Sequence, residues 1–200
     1  MSVIGKLAAL AAAIGVALGI GLAVAQTASP PSTGKLDVEN TLYLDLDYGR
    51  VVIKLRPDLA PQHVARIKEL TRRGFYDGLV FHRVIDGFMA QTGDPEGDGT
   101  GGSGQNIPAE FNAGKHTRGA VSMARASNIN SADSQFFIVL ADSPHLNGQY
   151  TYWGEVVSGM EFVDQIRKGN PARNGSVPYP DRIIRMQVAA DVKDDAPAKQ

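Results

Sequence analysis

Phe81-His82-Arg83-Val84-Ile85-Asp86-Gly87-Phe88-Met89-Ala90-Gln91-Thr92-Gly93-Asp94 is the stretch on which the reading of this chain turns. It begins as a strand: Leu79, Phe81 and the aliphatics that follow are bulky and β-favouring, bounded by Asp77-Gly78 before and Asp86-Gly87 after. Alternation along that strand sets Arg83 on the face opposite His82. Beyond the Asp86-Gly87 turn, Phe88, Met89 and Gln91 come in quick succession. A planar cation, two large soft apolar groups and a carboxamide thus reach one neighbourhood. No nucleophile, metal-ligand set or cofactor loop accompanies them. The combination suits a site that binds and distorts something uncharged.

Working outward, Thr41–Leu46 alternates with Leu42, Leu44 and Leu46 on one face, Asp47-Tyr48-Gly49 turns, and Arg50–Leu55 alternates again, which predicts a β-hairpin. Pro57-Asp58-Leu59-Ala60-Pro61 ends the hairpin and opens a helix. In that helix Ala60, Val64, Ile67 and Leu70 recur at helical spacing, and Gly74 closes it after Arg72-Arg73. Downstream, the Gly97–Gly104 run invites a phosphate-loop reading that fails, because no Gly-Lys-Ser/Thr and no amphipathic helix follow. Strands are expected over Ala120–Arg125, Ser134–Leu140, Tyr150–Val156 and Ile183–Val188, with a second helix from Gly159 to Lys168. Seven or eight strands and two short helices predict a mainly β fold, a closed antiparallel barrel with helices over its ends.

The composition is that of a globular protein of 200 residues, 43% apolar and 20% charged, with a formal charge of −1. No strong field points to nucleic acid or acidic lipid. Cysteine is absent, which excludes disulfides, thiolate nucleophiles and Cys-held metals. His63, His82 and His116 show no metal spacing, and no cofactor is expected. Residues 1–25 read as a signal peptide: Lys6 leads an apolar run from Leu7 to Val24, and Ala23-Val24-Ala25 offers a small-x-small cleavage site. The other reading of that segment is an inner-membrane anchor over residues 4–24. Residues 26–39 are a Pro-rich linker, 40–192 the folded domain and 193–200 a polar tail.

Taken together, Phe81-His82-Arg83-Val84-Ile85, Gly87-Phe88-Met89, Gln91, Gly93-Asp94, Gly99-Thr100-Gly101-Gly102 and Ser134-Gln135-Phe136-Phe137-Ile138 closely resemble the cyclophilins, in order and in spacing. Those are peptidyl-prolyl cis–trans isomerases, and the likeness runs from about Asn40 to about Val192. The resemblance implies an eight-stranded antiparallel barrel with two capping helices. It also implies that Arg83 is the catalytic arginine, that Gln91 contacts the substrate backbone, and that Phe88, Met89, Phe137 and Leu146 line a proline pocket with Ala124 as a wall of the groove. By the same register Phe137 faces the groove and Phe136 the interior. Three positions depart from the familiar eukaryotic members: His145 stands in place of a tryptophan, Tyr150 of a histidine and Arg125 of an asparagine. Such departures are typical of the bacterial branch, and the missing tryptophan implies weak cyclosporin binding.

These residues suit the chemistry. Rotation about a peptide C–N bond meets a barrier of about 18–20 kcal/mol because resonance is broken. No covalent bond changes, so no nucleophile is needed. The expected protein is an exported, periplasmic, monomeric isomerase acting on proline-containing polypeptide segments and assisting the folding of exported proteins. Its partners include no nucleic acid and no membrane beyond the possible anchor. A non-catalytic proline-peptide-binding module or holdase chaperone on the same scaffold is the rival, disfavoured because a pure binder has no need of Arg83. A hydrolase using Ser134 or His145 lacks a base and acid partner at recognisable spacing.

Overall fold

The computed structural model describes residues 37–192. The expected signal segment or anchor, most of the linker and the polar tail lie outside them. Eight strands follow in chain order: β1 Thr41–Leu46, β2 Gly49–Leu55, β3 Arg83–Ile85, β4 Met89–Thr92, β5 Ala120–Met123, β6 Phe136–Val139, β7 Tyr152–Ser158 and β8 Arg185–Val188. Helix α1, Pro61–Arg72, falls between β2 and β3, and α2, Met160–Val163, between β7 and β8.

The hairpin pairs Leu42 with Ile53 and Leu44 with Val51, so the alternating apolar residues of both strands face inward, where all four are fully buried. Pro61 starts α1 where a missing N–H costs nothing. Val64, Ile67 and Leu70 recur on its inner stripe and close one side of the core. Phe136, Trp153 and Tyr76 fill the centre, their rings meeting edge-on.

The sheet is antiparallel throughout, in the order β3-β4-β6-β5-β7-β2-β1-β8. It curls into a half-barrel but does not close, against the expectation of a closed barrel. The edge strands β3 and β8 form no ladder with one another. Instead the 169–183 segment lies along the seam: Val84 N–H donates to Gly175 O at 2.8 Å, Val177 N–H to His82 O at 3.0 Å, and Phe81 N–H to Asp181 O at 2.9 Å. Pro171, Pro178 and Pro180 lack donors and Gly175 sits at φ 79°, so this segment supplies single bridges and not a ninth strand.

Two further expectations are revised. The second helix keeps only Met160–Val163 as α-helix and then tightens, with Gln165 N–H donating to Phe162 O and Ile166 N–H to Val163 O. Strand β3 is three residues long, so His82 precedes it and escapes the alternation that would have turned it away from Arg83.

Candidate active site

The register across three strands builds the site. Arg83 on β3 pairs with Gln91 on β4, which pairs with Phe137 on β6, so the three side chains form one cross-strand row. The Asp86-Gly87 turn, with Gly87 at φ 65°, brings Phe88 and Met89 back beside that row. Leu146 comes from a short 3-10 turn, Pro144–Leu146, and Ala124, Arg125 and Tyr150 from the ends of the loops between β5 and β7. Together they enclose a cavity of about 570 Å³. Of the nine expected site residues, Arg83, Phe88, Met89, Gln91, Ala124, Phe137, Leu146 and Tyr150 line it directly. His145 is exposed beside the lining, its ring 5.5 Å from that of Phe88.

The floor is apolar and fixed. Met89, Phe137 and Leu146 belong to a small cluster separate from the main core, with Phe88, Ala124 and Tyr150 packed against it. Phe136 is buried in the main core, as the register with Phe137 predicts. Behind Phe137 the His116 ring stacks at 6.3 Å, and Tyr150 meets Phe137 edge-on at 5.6 Å. His116 is held from both sides, by Ser122 Oγ at 2.9 Å and Asn147 Oδ1 at 3.1 Å. That Ser-His-Asn set imitates a hydrolase triad, but Ser122 is wholly buried and no substrate reaches it. Ser134 is equally committed, donating to Gly93 O at 2.7 Å.

The polar side is a relay of side chains. Arg83 Nε donates to Asn174 O at 3.0 Å, Nη2 to Asn174 Oδ1 at 3.0 Å, and Nη1 to Gln91 Oε1 at 2.9 Å. Gln91 Nε2 donates to Gln135 Oε1 at 2.8 Å, and Gln135 Nε2 donates to the carbonyls of Gly99 and Gly101. A guanidinium carries five N–H donors. Three are engaged by neutral acceptors, two remain, and no carboxylate pairs with Arg83 among the described residues. Burial draws its pKa below the ordinary arginine value, and an arginine in a folded protein remains charged.

The sequence reading missed Asn174 and Gln135. Asn174 is the single non-glycine residue with positive φ among the described residues, at 52°. Its left-handed backbone is what lets one residue present both its carbonyl and its side-chain oxygen to Arg83. The available signal was the Asn174-Gly175 pair, a turn dipeptide. His82 also lines the cavity, buried and with neither ring nitrogen partnered. Burial pushes its pKa down, so it stays neutral. Among the described residues no group of three or more His, Asp or Glu is arranged to hold a metal ion.

The sequence model of the family "Cyclophilin type peptidyl-prolyl cis-trans isomerase/CLD" matches residues 41–188. A Brucella suis protein named "Probable peptidyl-prolyl cis-trans isomerase" is 54% identical over 197 residues, covering 92% of this chain and 97% of its own. "Peptidyl-prolyl cis-trans isomerase B" of Bacillus subtilis is 47% identical over 126 residues, covering 62% of this chain and 87% of its own. Among solved structures, the cyclophilin AquaCyp293 of Hirschia baltica superposes with a TM-score of 0.70 at 26% identity, over 79% of this chain and 77% of its own. A Cryptosporidium parvum cyclophilin, crystallised in the presence of the dipeptide Ala-Pro, superposes with a TM-score of 0.68 at 28% identity, over 74% of this chain and 98% of its own. The same fold, the same family model over the folded domain and a relative matched along nearly its whole length agree: the chain belongs to the cyclophilin-type peptidyl-prolyl cis–trans isomerases and is an enzyme of that activity.

Proposed function

We propose that the isomerisation is carried out in the Arg83 groove, on X–Pro bonds of unfolded or extended polypeptides. The pyrrolidine ring enters the pocket of Phe88, Met89, Phe137 and Leu146, and Ala124, Tyr150 and His145 bound the groove around it. Gln91 holds the substrate backbone. As the amide twists, the proline nitrogen regains its lone pair and becomes an acceptor. A free N–H of Arg83 bonds it only then, so the interaction favours the transition state over both planar forms. Each tenfold gain in rate requires about 1.4 kcal/mol, so one charge-assisted bond formed late is a sizeable share.

The observation that carries this reading is the fixed, acid-free guanidinium of Arg83 beside an apolar pocket, with two donors unspent. A proline-containing ligand is further supported by the Ala-Pro dipeptide supplied to the Cryptosporidium relative. Exchange NMR of a short Ala–Pro peptide with the full chain tests it. Saturable acceleration of cis–trans exchange is expected. Binding without acceleration would assign the groove to the rival peptide-binding or holdase role.

The same reading places the enzyme in the periplasm as a monomer assisting the folding of exported proteins. It rests on Lys6, the apolar run to Val24, the Ala23-Val24-Ala25 site and the absence of cysteine. Mass spectrometry of the native N-terminus tests it: a start at Gln26 supports release, and an intact Met1 supports an anchor over residues 4–24.

A further inference from the structure

The groove is electropositive in an unusual way. Three arginines line it, Arg83, Arg125 and Arg173, and none is paired with a carboxylate among the described residues. Elsewhere Arg50, Arg56, Arg66, Arg72 and Arg118 each hold an acid. Against the three the cavity offers one carboxylate, Asp98, whose Oδ1 is taken up by the Thr100 N–H and hydroxyl. His82 is neutral there.

Arg125 is the best placed of the three to meet a ligand other than the reacting amide. Its Nε and Nη2 donate to Gln149 O at 3.3 and 3.2 Å, its Nη1 donates to Ala126 O at 3.0 Å, and its Cζ lies 4.9 Å from the Tyr150 ring centroid. Neutral acceptors and an aromatic face thus immobilise the fork without neutralising it, and two of its five donors are left over. It lines both the proline cavity and a second cavity of about 270 Å³ beside it, together with Gln91, Gly99 and Ala124. The other charged group of that second cavity, Asp133, already accepts from the N–H groups of Ser103, Gly104 and Gln105 and from the Ser103 hydroxyl. Tyr150 touches both neighbourhoods, its ring 5.6 Å from that of Phe137 and 4.9 Å from the Arg125 Cζ. Those two steps put Arg125 within about three residues of extended chain from the proline pocket, and a glutamate side chain covers part of that reach.

We propose that Arg125 is a specificity-determining residue that selects substrates carrying a carboxylate side chain within two residues of the proline. The inference rests on the groove being the X–Pro site. A side chain held in place beforehand loses little freedom on meeting its partner, so the pairing favours binding of acidic segments over neutral ones. Its strength falls with ionic strength, as for any partly exposed pair.

The test is a set of Ala–Pro peptides with one glutamate at either of the two positions before or after the proline, each with a glutamine twin. Values of kcat/KM are measured by exchange NMR with the full chain, with Arg125→Gln and with Arg125→Lys. At one position at least, glutamate should exceed glutamine by roughly fivefold in low salt. The ratio should fall to about one in Arg125→Gln and stay above one in Arg125→Lys, which keeps the charge. The glutamine peptides give each variant its own reference rate in the same samples, so a general change in activity cancels from the ratio, and urea unfolding reads separately that each variant is folded. No glutamate preference at any position, or a preference that survives Arg125→Gln, would overturn the proposal. Glutamine peptides that are not accelerated by the unmodified protein would instead bring down the isomerase site itself, and this inference with it.

Discussion

Asn174→Gly is the substitution that most sharply isolates the positioning of Arg83. Asn174 holds Arg83 twice, through its backbone carbonyl and through Oδ1, both at 3.0 Å. Glycine accepts the left-handed φ of 52° without strain and keeps the carbonyl, so only the Oδ1 bond is deleted. A hydrogen bond to a charged group contributes about 1.5–3 kcal/mol, and the lower end applies here because the side chain is partly exposed. About 1.5 kcal/mol corresponds to a loss of about tenfold in rate. On the proposal that Arg83 acts on the twisted amide and not on the planar one, kcat and kcat/KM should fall together while KM stays put. Stability should change by less than about 1 kcal/mol, since added chain freedom opposes the relief of the left-handed backbone. Exchange NMR over a range of peptide concentrations reads both constants, and urea unfolding reads the stability. Unchanged turnover, or a rise in KM alone, would show that Oδ1 does not position the catalytic guanidinium.

Gly93→Ala tests the seam between β4 and β6: at φ 88° a Cβ would lie 2.5 Å from Ser134 O, so urea unfolding should show a loss of about 2–4 kcal/mol, and a loss under about 1 kcal/mol would contradict the packing. Burial holds His63, His82 and His116 below the ordinary histidine value, so the unfolded chain binds protons more readily than the folded one. The stability from keeping these rings neutral is whole above the unfolded value of about 6.5 and is lost as pH falls below it, so calorimetry should show the unfolding temperature dropping from about pH 6.5 to 5; a flat profile would contradict their neutrality. Cyclosporin should bind weakly, and His145→Trp, beside Phe88 at 5.5 Å, should tighten it by about tenfold in calorimetric titration, with no gain counting against His145 as a groove-wall position.

Much of this architecture is legible in the sequence where short-range periodicity carries it. The leucines of β1, the apolar stripe of α1 and the Phe136–Phe137 alternation each report a face, and the faces are as read. The pocket residues were readable because they cluster in a few short blocks whose spacing resembles one family. What failed depends on chain geometry that periodicity does not encode. Strand number says nothing of whether two edges meet, and here the 169–183 segment lies against the free edge of β3, so β3 and β8 form no ladder and the half-barrel stays open. His82 sits one residue outside its strand, where alternation no longer applies. Asn174 lies in an irregular segment with no apolar pattern, and its role follows from a single left-handed residue. Gly159 to Lys168 has helical spacing, yet its second half tightens into 3-10 turns that bury Ile166 just as well.

The central claim is that Arg83 acts on the twisted amide and contributes little to holding the planar peptide. The most direct test measures, for one X–Pro peptide, both the dissociation constant and the exchange rate of the bound peptide, in the unmodified protein and in Arg83→Ala. Bound-state exchange should slow by about a hundredfold, a barrier increase of about 2.7 kcal/mol, while affinity changes by less than about threefold. Exchange that survives the substitution, or affinity that falls in step with the rate, would contradict it.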